Sequence, residues 1–161
     1  MIFNFAFFVK RRKLRQALNI LYEILKPRSE RALPLDPQLE PIINLYISLI
    51  YLSLSRDHLR KKLDNPFYIL AVSVNLMKTE YFDRIKNSTL SQEANYNLGR
   101  FFHSLKMSKF AQTHYQIAID SEPYSENYNL KLMAAYNLNL LYQETECFQA
   151  GLRLHEHIFS S

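Results

Sequence analysis

Five histidines (His58, His103, His114, His155 and His157) and the lone Cys147 are the side chains of this 161-residue chain with the widest chemical reach. A metal site needs three or four such ligands at spacings that a helix or turn folds onto one ion. His155 and His157 are two apart, which on a helix puts them on different faces. His103 and His114 fall on separate helices with no evident carboxylate partner. One cysteine permits no internal disulfide and no cysteine cluster. No histidine is marked to deprotonate Cys147, and a free cysteine is commonly a small buried hydrophobe. Neither a Gly-x-Ser-x-Gly elbow nor a His-Glu-x-x-His helix occurs. The two glycines, Gly99 and Gly151, lie 52 positions apart, which removes the glycine-rich phosphate loops. The residues therefore read as a non-enzyme with no cofactor and no metal. A small hydrolase would need a constellation that only folding assembles.

A second kind of chemistry is carried by charge. The net charge of +5 belongs wholly to the N-terminal fifth: residues 1–31 hold eight Lys/Arg against Glu23 and Glu30, a balance of +6, and the remainder sums to −1. Lys10, Arg11, Arg12, Lys13 and Arg15 form a basic patch able to meet phosphate, an acidic partner or an import receptor. Leu14, Ala17, Leu18, Leu21 and Ile24 continue an apolar helical stripe through the same segment. That stripe makes the charges the wet face of a packed helix, and no aromatic residues interleave with them to stack on bases. The apolar run Met1–Val9 precedes the basic cluster, the reverse of a secretory signal. Ile42–Leu54 is broken by Asn44, Ser48 and Ser53 before it reaches membrane-spanning length. A soluble, intracellular chain is the expectation.

The elements that must position these residues are helices. Apolar residues recur at helical spacing, strict alternation is absent, and prolines mark the joints at Pro27, Pro34, Pro37, Pro41, Pro66 and Pro123. The pattern predicts helices over 2–10, 12–26, 40–55, 66–81, 91–105, 108–121, 126–144 and 147–159, an all-α chain of antiparallel pairs. Within Gln92–Ser125, Leu98, Gly99, Phe102, Ala111, Tyr115, Ala118 and Pro123 occupy positions 7, 8, 11, 20, 24, 27 and 32 of a tetratricopeptide repeat. Asn95 stands where position 4 expects an aromatic. Gly99 and Ala111 let the helices of a pair approach, Leu98, Phe102 and Tyr115 fill the space between them, Ala118 admits the next unit and Pro123 ends the second helix.

Fainter copies run through the chain. Ile47, Ser48 and Tyr51 take positions 7, 8 and 11 of an earlier unit, Leu138, Asn139 and Tyr142 those of the last, and Phe5, Ala6 and Val9 those of a first. The expected fold is one tetratricopeptide-like superhelical domain, 1–161, of about four helix hairpins at roughly 1–30, 41–82, 92–125 and 126–161. Position-7 residues recur at intervals longer than the usual repeat. The extra residues are expected in the proline-rich joint, in the Arg56–Asn65 turn with the Asp83–Leu90 loop, and in a lengthened first helix of the last pair.

Three stretches carry a closer likeness. Gln92–His103, QEANYNLGRFFH, resembles the "QEANYNLGRAFH" signature of the tetratricopeptide-repeat subunit of general transcription factor IIIC. Ala134–Gln143, AAYNLNLLYQ, is similar to that family's "AAYNLSLIYQ", and Ile43–Tyr51, INLYISLIY, to its "INLCIGLAYIH" helix. All three occur in the family's order, and the likeness spans roughly residues 10–161. Glu146, Cys147 and Phe148 stand where the family has small residues and glycines. The resemblance implies a nuclear scaffold. Its partners would be the other transcription factor IIIC subunits and factor IIIB in RNA polymerase III initiation, with DNA met through the complex and neither membrane nor small-molecule substrate.

In a repeat superhelix, the first helices of each pair line a concave groove. The expected partner-binding residues are Tyr96, Asn97, Arg100 and His103 in one unit and Tyr136, Asn137, Leu140 and Gln143 in the next, a mixture suited to an extended peptide. The chaperone-type carboxylate clamp is absent, since Leu45, Tyr96 and Tyr136 stand at its position 5 and Leu49, Arg100 and Leu140 at its position 9. Two alternatives stay open: a nucleic-acid binder using the basic patch, and a repeat adaptor of another complex.

Overall fold

A computed structural model describes residues 13–26, 36, 39–61 and 65–159, and every regular element among them is helical. The expected all-α class is borne out for these residues. The helix expected at 2–10, with its phenylalanines, and Lys10, Arg11 and Arg12 of the basic patch lie outside the described residues. The chain divides into two compact units, Met1–Arg84 and Ile85–Ser161.

In the first unit, α1 (Leu14–Leu25) buries Leu14, Ala17, Leu18 and Leu21 on one stripe. That stripe joins Ile43, Ile47 and Ile50 of α2 (Leu39–Lys61) in one core. Each such aliphatic side chain is worth about 1.5–3 kcal/mol when fully removed from water. α2 runs past the expected end at residue 55, because Arg56–Lys61 contains neither glycine nor proline and consists largely of good helix formers. It is contacted by α1 and by α3 (Pro66–Asn75), so apolar and small residues surround it and no single stripe is visible. Pro66 sits in the first turn of α3, where its missing N–H costs nothing. The close contact of α2 with α3 is lined by serines. Ser73 Oγ donates to the Ser48 carbonyl at 2.7 Å, and Ser55 Oγ donates to the Pro66 carbonyl at 2.8 Å. The single helix expected at 66–81 instead widens into a π-helical segment, Leu76–Phe82, and ends in the short α4, Asp83–Ile85. The wide turn brings Met77 and Tyr81 to full burial, and Arg84 closes the unit with ion pairs to Glu40 and Glu80 at 3.1 and 2.9 Å.

The second unit is two helix pairs, α5 (Ser91–Ser104) with α6 (Ser108–Asp120), then α7 (Lys131–Glu144) with α8 (Phe148–Phe159). The pairs share one core that includes Tyr96, Ala111, Tyr115, Ala118, Ala134, Leu138 and Leu141. Their turns are the same structure built twice. After α5 the Met107 N–H donates to the Phe102 carbonyl and Lys106 N–H to His103; after α7 the Cys147 N–H donates to Tyr142 and Glu146 N–H to Gln143. Both are Schellman turns, and the left-handed residues are Lys106 (φ 61°) and Glu146 (φ 59°) rather than glycine. The lengthened first helix expected in the last pair is not there: α5 and α7 are each 14 residues long. The extra residues lie in the connection from Ser121 to Leu130, where only a short 3-10 turn, Glu126–Tyr128, forms.

Candidate partner-binding surfaces

Gly99 is the tightest point of the α5–α6 pair. A Cβ placed on it would lie 2.6 Å from Tyr115 Cδ1, so only hydrogen fits against that ring. Leu98, Ala111, Tyr115 and Ala118 are all buried as well. Phe102 is half-buried, stacked on His114 with centroids 5.6 Å apart and tilted against Phe110 at 5.2 Å. α6 ends at Asp120, three residues before Pro123. Asn95, standing in the place of an aromatic, is buried: its Nδ2 donates to the Ser91 carbonyl, and its Oδ1 lies 3.0 Å from His114 Nδ1. With the amide so oriented, the imidazole carries its proton on Nδ1. Burial holds the His114 pKa below the ordinary imidazole value.

Of the residues expected to line a groove, some are open and some are not. Tyr96 is 6% exposed, packed into the core with its hydroxyl accepting from Asn137 Nδ2 at 3.2 Å. It joins two helix pairs and is no surface anchor, a correction that follows from α7 lying against that face of α5. Asn137 is half-buried in the same bond, and Asn97 is half-buried and hydrogen-bonded to Glu93, whose pKa burial raises. His103 is 15% exposed: its Nδ1 lies 3.2 Å from the Tyr115 hydroxyl and its Nε2 3.4 Å from Glu144 Oε1. The carboxylate partner that the sequence did not reveal is thus Glu144, 41 residues on, which also accepts from Lys106 Nζ at 2.6 Å. Carboxylate, imidazole and hydroxyl in a row have the form of a proton relay, yet the row ends on a buried phenol whose pKa desolvation raises. It binds two helix pairs together and offers no nucleophile to solvent.

Arg100, Tyr136 and Gln143 are exposed. The Arg100 guanidinium carbon lies 5.6 Å from the centre of the Tyr96 ring, covering its edge of the core. Arg15 on α1 and Lys13 just before it are exposed, off the buried stripe. Cys147 is exposed, against the expectation of a buried hydrophobe, because it follows the left-handed Glu146 in the α7–α8 turn. His155 and His157 do face different ways, each lining a different cavity beside α8. Among the described residues, no group of three or more His, Cys, Asp or Glu is placed to hold a metal ion, and no helix is long and apolar enough to cross a membrane.

One determinant went unassigned in the sequence. Gln92, 2% exposed, donates from Nε2 to the Ala118 and Ser121 carbonyls at 3.2 Å each, while its Oε1 accepts the Leu130 N–H at 2.9 Å. It holds the end of α6 and the start of α7 together. The sequence offers no more than a polar residue in the first turn of the best repeat, two positions before the small Ala94.

Among the described residues, two apolar surfaces stand open. In the first unit, Phe67 and Tyr68 are 73% and 72% exposed, and Phe67 with Leu70, Ala71 and Val74 lines a shallow groove on α3. In the second, α7 and α8 enclose a cavity of about 340 Å³ lined by Leu132, Tyr136, Gly151, Leu154 and Ile158 among others.

The chain is similar to the transcription factor tau subunit sfc4 of Schizosaccharomyces pombe, 30% identical over 127 residues, covering 70% of this chain and 12% of that protein. It thus corresponds to a small part of the relative's length. No protein-family model and no solved structure matches it.

Proposed function

We propose that the chain is a non-enzymatic protein-interaction scaffold of tetratricopeptide type, working in a transcription factor IIIC assembly at RNA polymerase III promoters. The observation that carries this reading is the repeated architecture of the second unit: two helix pairs in register 40 residues apart, with the same Schellman turns and the same 14-residue first helices. A duplicated pair that buries its core only by stacking is the physical signature of a repeat array. Similarity to the tau subunit sfc4, itself a transcription factor subunit, supports the same assignment and a nuclear location. Four hairpin units, near 1–30, 41–82, 92–125 and 126–161, would form the array, with Arg100, Tyr136 and Gln143 as its accessible contacts and other transcription factor IIIC subunits and factor IIIB as its partners.

Affinity purification of the tagged full chain from nuclease-treated nuclear extract tests the reading. Subunits of transcription factor IIIC should be enriched over a tag-only control; their absence refutes it. The exposed Lys13 and Arg15 favour one second reading, direct DNA contact. In that case a promoter duplex binds with steep salt dependence, and replacing Arg11, Arg12, Lys13 and Arg15 by Gln abolishes the affinity; retention of a protein partner by that same variant favours the scaffold instead.

A further inference from the structure

α6 and α8 each pack against α7 and leave a cleft of about 520 Å³ between them. Its walls are largely polar: Gln112, Gln116 and Asp120 come from α6, Tyr142 from α7 and Arg153 from α8. Gln112 Nε2 donates to the Tyr142 hydroxyl at 3.3 Å, and Gln116 Nε2 donates to the two Asp120 carboxylate oxygens at 3.2 and 3.1 Å. The Oε1 atoms of both glutamines accept nothing from the described residues, and Arg153 makes no ion pair among them. A helix stack continued past α8 would not use this surface. α5 and α6 receive α7 on Tyr96, Ala111 and Ala118, and the residues 40 positions later, Tyr136, Gly151 and Ile158, are all absent from the cleft.

We propose that the cleft binds an extended segment of a partner protein, one that sets an acidic side chain on Arg153 and a basic one at Asp120. The spacing of the two amides chooses an extended occupant. Gln112 and Gln116 are four apart on one helix face, so they recur at about 5–6 Å. Alternate residues of an extended chain recur at roughly 6.6 Å. Two backbone N–H groups that point the same way can therefore each donate to one glutamine Oε1. A helix, of this chain or of another, has its backbone groups bonded internally and offers these oxygens no such partner. The charges choose among extended chains. A carboxylate and a guanidinium in one cleft fit a peptide of mixed charge, whereas Asp120 repels the phosphates of a nucleic acid. The cleft shares no residue with the accessible contacts Arg100, Tyr136 and Gln143, and the inference rests on the scaffold reading only for the existence of a protein partner.

The probe is a phage-displayed library of random linear dodecapeptides panned against the full chain, with the enriched peptides synthesised and titrated into the isotope-labelled chain. Shifts are expected at the Gln112 and Gln116 side-chain amides and at Arg153, and the enriched peptides should share an acidic residue. The double variant Gln112→Ala with Gln116→Ala should lose affinity by about tenfold or more. Panning against Arg153→Glu should exchange the shared acidic residue for a basic one, which a merely structural Arg153 would not cause. Gln112 and Arg153 are exposed and Gln116 is half-buried, so melting curves should match the parent. No enriched peptide that binds below roughly 1 mM, shifts confined to other surfaces, peptides bound as helices, or an unaltered charge preference in Arg153→Glu would overturn the proposal. So would nuclear Overhauser contacts, in the chain alone, between these glutamine amides and another segment of the same chain, which would give the cleft to the chain itself. Shift mapping on the unsubstituted chain decides even if a variant misfolds. Cleft binding without enrichment of transcription factor IIIC subunits would refute the scaffold assignment alone, and enrichment without cleft binding would refute this inference alone.

Discussion

The two glycines of this chain occupy different places in successive helix pairs, Gly99 on a first helix and Gly151 on a second, and their neighbours give them opposite sensitivities. Gly99 faces a fully buried aromatic ring that cannot retreat, so Gly99→Ala should destabilise the fold by roughly 1–2 kcal/mol, overpacking outweighing the gain in helix propensity. At Gly151 the nearest atom, Asn139 Oδ1 at 2.8 Å, belongs to the end of a side chain that can turn aside. Gly151→Ala should therefore raise stability by about 0.5–1 kcal/mol in urea unfolding. His114 adds a pH dependence. Its folded pKa is depressed by burial, so it contributes stability that is present above the ordinary imidazole value, near 6.5, and lost as pH falls through the lowered value. Melting temperature should decline on going from about pH 7 to pH 5, and His114→Gln should flatten that decline. Burial of Glu93 acts with the opposite sign in the carboxylate range, which is why comparison with the variant is the deciding readout.

At the level of elements, the turns between paired helices hold a residue type they do not prefer. A side chain in the left-handed region costs roughly 1–2 kcal/mol relative to a right-handed one, a cost glycine escapes. Glu146→Gly should stabilise the chain by about 0.5–1 kcal/mol in thermal unfolding. Lys106→Gly should gain little, because it also gives up the bond to Glu144. Helix positions were legible because Leu14, Ala17, Leu18 and Leu21, or Ala111, Tyr115 and Ala118, recur at the period that puts them on one face. Helix ends were less so. α7 begins at Lys131 because the Gln92 and Asn129 side chains take its first N–H groups, and the partner 38 residues away is invisible to any local pattern. The groove was misread at Tyr96 for a related reason: spacing says which residues share a face, but only packing says which face the next helix covers. His103 and Glu144, 41 residues apart, met across the same gap in local information.

For the molecule as a whole, the second unit holds its own core and its own polar ties, with Gln92, Tyr96, His103 and Glu144 all satisfied within residues 85–161. That unit expressed alone should be helical by circular dichroism and unfold in a single cooperative step; a sloping melt would show that its core is insufficient. The Gln92 side chain has a further consequence for the architecture. Because one amide grips both margins of the stretch that leads from α6 to α7, while Tyr124 and Tyr128 in its middle stand in solvent, helix phase is insulated from how many residues lie between. Lengthening such a segment costs little entropy. Neighbouring modules can then drift apart in sequence count while their helices stay in step, and a motif search that counts on a constant period loses them even though the stacking persists.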